Sequence, residues 1–397
     1  MAYFDTTLDQ LPELDQVSAA HAEKVRQYLL EQIHQHDGFI GFDQYMQLAL
    51  YAPGLGYYSA GSRKFGASGD YITAPMISPL FSETIAHFIA RHQQPGDEIL
   101  ELGAGTGVMA LDIISSLRAS DQQPPAYRIL EPGADLRQRQ QQTLAPVNDG
   151  NAPELCWIDH LDARKSFTGF ILGNEVIDAM PVRRFVLQSG EVQELGVGLD
   201  AGDIGLKIRQ ADEQFAGQVR AALPVATDAY PDGYCGELLP SVDGWVKALD
   251  HYMGTGMVIL LDYGYERAEY YRPDRVGGTI RGYFRHFLVT DPLVYPGMMD
   301  LTASVDFTRL AEAAVSHGFQ VAAYTSQANF LIEQGLLEIG QAKMAQQTLS
   351  DKQRLQSAEA IKLLTDPGEM GESIKVMVLT RGRELQDSFV KDLRYRL

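Results

Sequence analysis

The stretch Glu98-Ile99-Leu100-Glu101-Leu102-Gly103-Ala104-Gly105-Thr106-Gly107-Val108 decides how the rest of the chain is read. A short apolar run leads into alternating glycines, and an amphipathic segment, Val108 to Leu117, follows directly. Strand, glycine loop and helix in that order give the loop its meaning. The backbone there can approach a ligand closely and turn into a helix whose N-terminus faces it. A dinucleotide fingerprint has its third glycine one place later, where Val108 stands. The chain contains no Gly-Lys dipeptide, so a Walker A phosphate loop is excluded. Glu101, just ahead of the loop, is badly placed beside a pyrophosphate and well placed beside a cation. Taken alone, the motif also fits an ordinary turn between a strand and a helix.

Outward from this stretch, helices and strands alternate. A helix over Pro79 to His92 precedes it, and the strand Tyr127 to Leu130 follows its helix. A helix around Asp135 to Leu144, the strand Leu155 to Ile158 and the strand Phe170 to Gly173 continue the rhythm. Short apolar runs separated by helices predict a parallel sheet covered on both faces. Glu131 ends the second strand, where a carboxylate can accept from both hydroxyls of a ribose. Asp159 ends the third and could read an adenine amino group, although Asp162 lies one turn away. With Gly103, Ala104, Gly105 and Gly107, three strand ends converge on one nucleoside. The acid at Glu101 suits the ammonium and sulfonium of S-adenosylmethionine (SAM), the expected cofactor.

The remaining segments frame this core. Ser18 is the expected N-cap of a helix through His36, with Val25, Leu29 and Ile33 on one face. A second helix, Phe42 to Tyr51, stops at Pro53-Gly54. After Pro181 come two alternating strands, Arg184 to Leu187 and Glu191 to Val197, then the loop Asp200 to Asp203. The sheet resumes at Met257 to Asp262. The helix Phe307 to His317, the strand Gln320 to Tyr324, helices to Thr365 and the strand Lys375 to Leu379 follow. That ending fits an antiparallel hairpin closing a seven-stranded, mostly parallel sheet. The expected division is a helical cap and cofactor-covering loop over 1–78, core over 79–182 and an inserted α+β lobe over 183–254. The core resumes over 255–382, with a tail over 383–397.

The 397 residues carry 52 Asp and Glu against 33 Lys and Arg, a net charge of −19. An excess of acid argues against a broad surface for nucleic acid or an anionic membrane. Cys156 and Cys235 are the only cysteines, too few for a disulfide framework or a four-thiolate zinc site. The nine histidines include no His-Glu-x-x-His, and no metal is expected. The acidic start, with Lys24 as its first basic residue, has the wrong charge for a targeting segment, so the expected compartment is the cytoplasm.

An ordered set of longer motifs runs from about Gly38 to Gly382. It includes Tyr51-Ala52-Pro53-Gly54-Leu55-Gly56-Tyr57-Tyr58, Gly69-Asp70-Tyr71-Ile72-Thr73-Ala74-Pro75 and Gly173-Asn174-Glu175-Val176-Ile177-Asp178-Ala179-Met180-Pro181. Asp262-Tyr263-Gly264, Gly278-Thr279-Ile280-Arg281 and Asp291-Pro292-Leu293-Val294-Tyr295-Pro296-Gly297, followed by Asp300 and Thr302, extend it. With these the chain resembles the MidA-like branch of class I SAM-dependent methyltransferases. The resemblance implies a Rossmann-like α/β fold and SAM as cofactor. Its mitochondrial members are complex I assembly factors with protein arginine methyltransferase activity, and this chain looks like a bacterial relative. Gln188 to Tyr234 carries little of the family pattern.

Methyl transfer from a sulfonium needs a positioned nucleophile and a place for its proton. Asn174, Glu175 and Asp178 follow the fourth strand, where such folds place substrate-handling groups. An amino methyltransferase of nucleic acid would show two prolines and an aromatic there; Glu175-Val176 stand instead. Two carboxylates three residues apart suit the five-donor fork of a guanidinium. Glu175 leads this assignment and Asp178 follows; the competing reading has Glu175 capping a helix with Asp178 on its solvated face. Asp70 and Thr73 are candidates to close over the methionine end of SAM, or form a simple turn. Asp262, Tyr263 and His286 are placed on the substrate side, a structural histidine being the alternative for His286. The expected function is a SAM-dependent protein arginine methyltransferase linked to assembly of a respiratory or other complex. A SAM-binding assembly protein without turnover and a small-molecule methyltransferase are the alternatives. The expected partner is a protein substrate, not nucleic acid or membrane.

Overall fold

The computed structural model describes residues 5–6, 11–60, 73–162, 166–346, 349–386 and 389–397. Five parallel strands form the heart of the main sheet, in the spatial order Met253–Tyr265, Phe167–Asn174, Glu98–Leu102, Ala126–Leu130, Glu154–Ile158. Ile374–Arg381 lies antiparallel beside Met253–Tyr265, and Gln320–Ser326 lies antiparallel beside it at the edge. The final strand therefore enters between two earlier ones, after an excursion through helices Gln327–Glu333, Leu336–Met344 and Asp351–Thr365. Val305–Asp306 adds a two-residue strand off this path, against the end of Met253–Tyr265. The sheet is thus mixed, within a class I methyltransferase-like α/β fold.

Alternation along these strands supplies two cores. Ile99, Phe170, Ile259 and Val378 enter one cluster, while Leu100, Ile171, Val258 and Leu379 enter the opposite one. Helices cover both faces, which is why the strands read as unbroken apolar runs. Each fully buried aliphatic or aromatic side chain contributes about 1.5–3 kcal/mol. The glycine loop is held on a rigid base as a result.

Around this frame, segments distant in sequence interlock. Helix Gln16–Gln35 begins at Asp15, whose carboxylate accepts from the N–H groups of Val17 and Ser18; the expected Ser18 cap lies inside the first turn. The earlier acid captures the free N–H groups first. Phe39–Gly41 pairs with Glu191–Asp200, so the front section and the 183–254 segment share one five-stranded sheet. Asp200 to Asp203, expected as a loop, is a tight hairpin turn joining Glu191–Asp200 to Asp203–Gln210. Ala201 and Gly202 there take φ of 49° and 90°, the left-handed geometry that two-residue hairpins need.

A further small sheet contains Arg281–Phe284, Phe287–Val289 and Asp300–Thr302, strands the sequence pattern does not mark. Buried Glu237 ties it to the lobe, accepting from the Thr279 N–H at 2.9 Å and the Thr279 hydroxyl at 3.1 Å while pairing with Arg184. That anchor sets the approach of Arg281 and Tyr283 to the carboxyl ends of the main sheet. Among the described residues no helix is long and apolar enough to cross a membrane.

Candidate active site

At the end of Glu98–Leu102 the chain turns through Gly103, Gly105 and Gly107, with φ of 61°, 52° and 83°. L-residues other than glycine rarely take such values, so the loop keeps its close approach only with these glycines. Gly103, Ala104 and Gly105 line a cavity of about 860 Å³, with Glu101 and Glu131. Gly107 stands back from the cavity as the N-cap of helix Val108–Ala119, and a Cβ there would lie 3.2 Å from the Cα of Gln140. The residues lining the cavity do not include it, in contrast to the expected contact.

Glu101 is buried and accepts from the Tyr127 hydroxyl at 2.7 Å. Burial pushes its carboxyl up to about 7, with the tyrosine bond acting the other way. Glu131 accepts from the Gly133 N–H at 2.8 Å and from Gln140 Nε2 at 3.0 Å. Burial raises its pKa as well, against those two bonds. Fully buried Gln140 also donates to the Gly105 carbonyl and accepts from Trp157 Nε1, joining loop, acid and neighbouring strand. The sequence gives no hint of this, because Gln140 sits in the polar run Arg137-Gln138-Arg139-Gln140-Gln141-Gln142 and looks solvated.

The next two strand ends are built differently. Glu175 follows Phe167–Asn174 in the left-handed region, φ 51°, and its N–H donates to the Leu261 carbonyl at 2.8 Å. The N–H groups of Val176, Ile177 and Asp178 all donate to Asp262 Oδ2, at 3.1, 2.8 and 3.3 Å, while Tyr263 N–H donates to Oδ1. No helix starts at Glu175; the segment is a turn wrapped around the Asp262 carboxylate, and Asp178 is buried, not solvated. Asp262 itself lines neither this cavity nor its neighbour. It holds the turn instead of meeting substrate, which corrects its expected role.

Glu175 and Tyr58 form part of the wall of both the main cavity and a second one of about 170 Å³. Asp178, Tyr263 and Asp300 line the second. The Tyr58 hydroxyl donates to Asp300 Oδ1 at 2.8 Å, and the Tyr51 hydroxyl donates to the Ala179 carbonyl at 2.9 Å, so the front section is fastened to this site. Burial, then the charge of Asp262, pushes the Glu175 carboxyl up to about 8. Burial and the charges of Asp262 and Glu175 raise Asp178 well above the carboxylate range. Asp262 has four backbone N–H donors and Asp178 far fewer, so the charge of this pair rests on Asp262 and the proton on Asp178. Among the described residues the carboxylates form no metal-holding set.

The other expected residues divide. Asn174 lines the main cavity; its Nδ2 donates to Glu175 Oε1 at 3.0 Å, and its buried Oδ1 has no partner among the described residues. Thr73 lines the same cavity, and Asp70 lies outside the described residues. Asp159 does not reach it: its exposed carboxylate pairs with Arg137, which also donates to the Glu131 carbonyl. His286 sits at the hairpin turn after Arg281–Phe284, away from both cavities, because the strand carries it to the end opposite Arg281. Sequence reasoning missed Tyr58 and Asp300 as site residues. Their only signal was membership of the longer motifs.

Together the glycine cradle, the buried acids Glu101 and Glu131 and the orphaned Asn174 oxygen fit a ligand with a diol and a cationic end, as SAM has. Residues 80–325 match the family described as S-adenosyl-L-methionine-dependent methyltransferase. A Burkholderia thailandensis protein solved with S-adenosyl-homocysteine bound is 34% identical, with a TM-score of 0.89 over 98% of this chain and 100% of that one. The mitochondrial protein arginine methyltransferase NDUFAF7 homolog of Caenorhabditis elegans is 26% identical over 381 residues, covering 89% of this chain and 86% of that protein. Its human counterpart is 25% identical over 383 residues, covering 88% and 82%. With a glycine cradle on a class I sheet and a match spanning most of the chain, the protein belongs to the MidA-like family of SAM-dependent methyltransferases.

Proposed function

We propose that the methyl acceptor is the guanidinium of an arginine in a protein. One observation carries this reading: Glu175 forms part of the wall between the cofactor cavity and a smaller cavity lined by Asp178 and Asp300. Bound SAM supplies a methyl group on an activated sulfonium. The chain supplies the rest. Glu175, ionised on meeting a cation, holds one edge of the guanidinium fork, and Asp300, which accepts from the Tyr58 hydroxyl, lines the same cavity. Crowded carboxyls gain most from a cation, because each is kept neutral or strained until one arrives. Asp178, protonated beside Asp262, adds a neutral hydrogen-bonding group to the same cavity. The mitochondrial relatives' name as arginine methyltransferases supports this acceptor.

In this reading the described part of the front section, through Tyr51, Tyr58 and Thr73, covers the cofactor and the 183–254 lobe flanks the acceptor. A link to assembly of a respiratory or other complex comes with the same resemblance. The compartment proposed is the cytoplasm, where the free thiols of Cys156 and Cys235 stay reduced. Incubating the protein with methyl-labelled SAM and a lysate, then locating the label by mass spectrometry, tests the acceptor. Labelled arginine in polypeptide is expected. Label only in metabolites would point to a small-molecule enzyme, and a protein that binds SAM without labelling anything would be a binding factor.

A further inference from the structure

The second cavity is not uniformly acidic. Arg275 and Arg281 line it along with Glu175, Asp178 and Asp300, and the two guanidiniums are in different states. Arg275 is already engaged: its Cζ lies 4.2 Å from the centroid of the Tyr265 ring, and its Nη2 lies 3.2 Å from Glu269 Oε1. Arg281 donates from Nη1 to the carbonyl of its own neighbour Ile280 at 2.8 Å and makes no ion pair among the described residues. Its side chain is half-buried, in a chain of net charge −19. Its other donors are open to solvent and uncommitted among the described residues, so a ligand entering the cavity can use them.

Strand register locates this group. Arg281 pairs with Thr302 and Tyr283 with Asp300 on adjacent antiparallel strands, and all four line the cavity. Arg281 is therefore the diagonal neighbour of Asp300, with side-chain stems about 7 Å apart. An extended peptide advances about 3.3–3.6 Å per residue, so the two positions are spaced like residues about two apart in a bound segment.

We propose that Arg281 receives a carboxylate of the acceptor, so that the preferred segment carries Asp, Glu or a C-terminal carboxylate within about two residues of the methylated side chain. This inference rests on the cationic-acceptor reading above. The guanidinium can take a carboxylate through two parallel N–H bonds, and it repels a lysine at the same place. Acids at the inner end and an uncommitted arginine beside them select a zwitterionic stretch over a run of basic residues.

The test compares the full chain with Arg281→Gln and Arg281→Lys, using methyl-labelled SAM, a lysate and mass spectrometry of the labelled sites. The recovered segments are then assayed as synthetic peptides with the acid kept or replaced by its amide. Methyl-arginines with an acid within two residues are expected. Arg281→Gln should raise KM for the acid-bearing peptide about tenfold or more, with kcat little changed, and move the amide peptide less than about twofold. Arg281→Lys should recover part of the loss. Methyl-arginines without nearby acids, or equal KM shifts for both peptides, would overturn the proposal and leave the arginine reading intact. Label confined to a small molecule bearing both a cationic nitrogen and a carboxylate would end the protein-arginine reading and keep the role of Arg281. Label only on an acceptor without a carboxylate, or no labelled acceptor, would end both.

Discussion

Two halves of one sheet edge handle their acids in opposite ways. At the ends of Glu98–Leu102 and Ala126–Leu130, Glu101 and Glu131 are buried but individually served, by Tyr127 and by Gly133 with Gln140. At the ends of Phe167–Asn174 and Met253–Tyr265, Glu175, Asp178 and Asp262 crowd together, and the charges that weigh on Glu175 and Asp178 are other carboxylates. The first half is preorganised for a ligand whose shape is constant. The second stores electrostatic tension that a bound cation would relieve. Hydrogen bonds separate these roles better than the number of acids does.

Breaking the second half should have the larger effects. Glu175→Gln keeps the size of the side chain and removes its charge; transfer should fall about 10²–10⁴-fold while S-adenosyl-homocysteine binding, read by calorimetry, stays within about twofold. Equal transfer by the variant would remove the role assigned to Glu175. Its pKa provides a second check. With the carboxyl raised from 4.5 to about 8, the acceptor KM should fall as pH rises through about 8, and Glu175→Gln should flatten that profile. For the ligand-free protein the sign is opposite. The folded state holds a proton that the unfolded state has lost, so this contribution to stability is present below about 4.5 and disappears as pH rises through 8.

Asp262→Ala tests the turn itself. Three N–H groups of the Glu175 segment lose their acceptor, and destabilisation on the order of 3 kcal/mol is expected by denaturant titration, together with loss of transfer. Unchanged stability would show that the turn holds without the carboxylate. On the cofactor side, Glu131→Ala should weaken S-adenosyl-homocysteine binding about 10–100-fold, the value of losing charged hydrogen bonds. Undisturbed affinity would remove Glu131 from the cofactor half. Smallest is Tyr58→Phe, which deletes the bond to Asp300 and should raise acceptor KM about fivefold, corresponding to about 1 kcal/mol. A larger effect on cofactor affinity than on acceptor KM would move Tyr58 to the other half.

How far the sequence could be read follows the same division. The strand before the glycines, the helix after them and Glu131 at the next strand end are local patterns, and the structure places them as read. Asp159 fails because its neighbour Arg137 offers an ion pair outside the cavity. His286 fails because a hairpin that no periodicity announces turns it away. Asp262 reads in sequence as an acid ending its strand, but the strand runs on to Tyr265, and the partners of Asp262 are backbone N–H groups of residues 176–178, which no spacing in sequence can show. Gln140 was invisible inside a polar run. Its burial depends on Trp157 and the glycine loop meeting over it.

The sequence by itself therefore determined the sheet core, the glycine loop, the acid at the end of the next strand and the family. Each rests on periodicity or on contiguous motifs that act over a few residues. Only the tertiary structure decided that Tyr58, Glu175, Arg281 and Asp300 meet at one cavity, and that the front section shares a sheet with the lobe. The reason is physical. A strand end or a turn is a short-range property of the chain, while the electrostatics of an acceptor site come from side chains on separate elements, brought within reach by packing of the whole core.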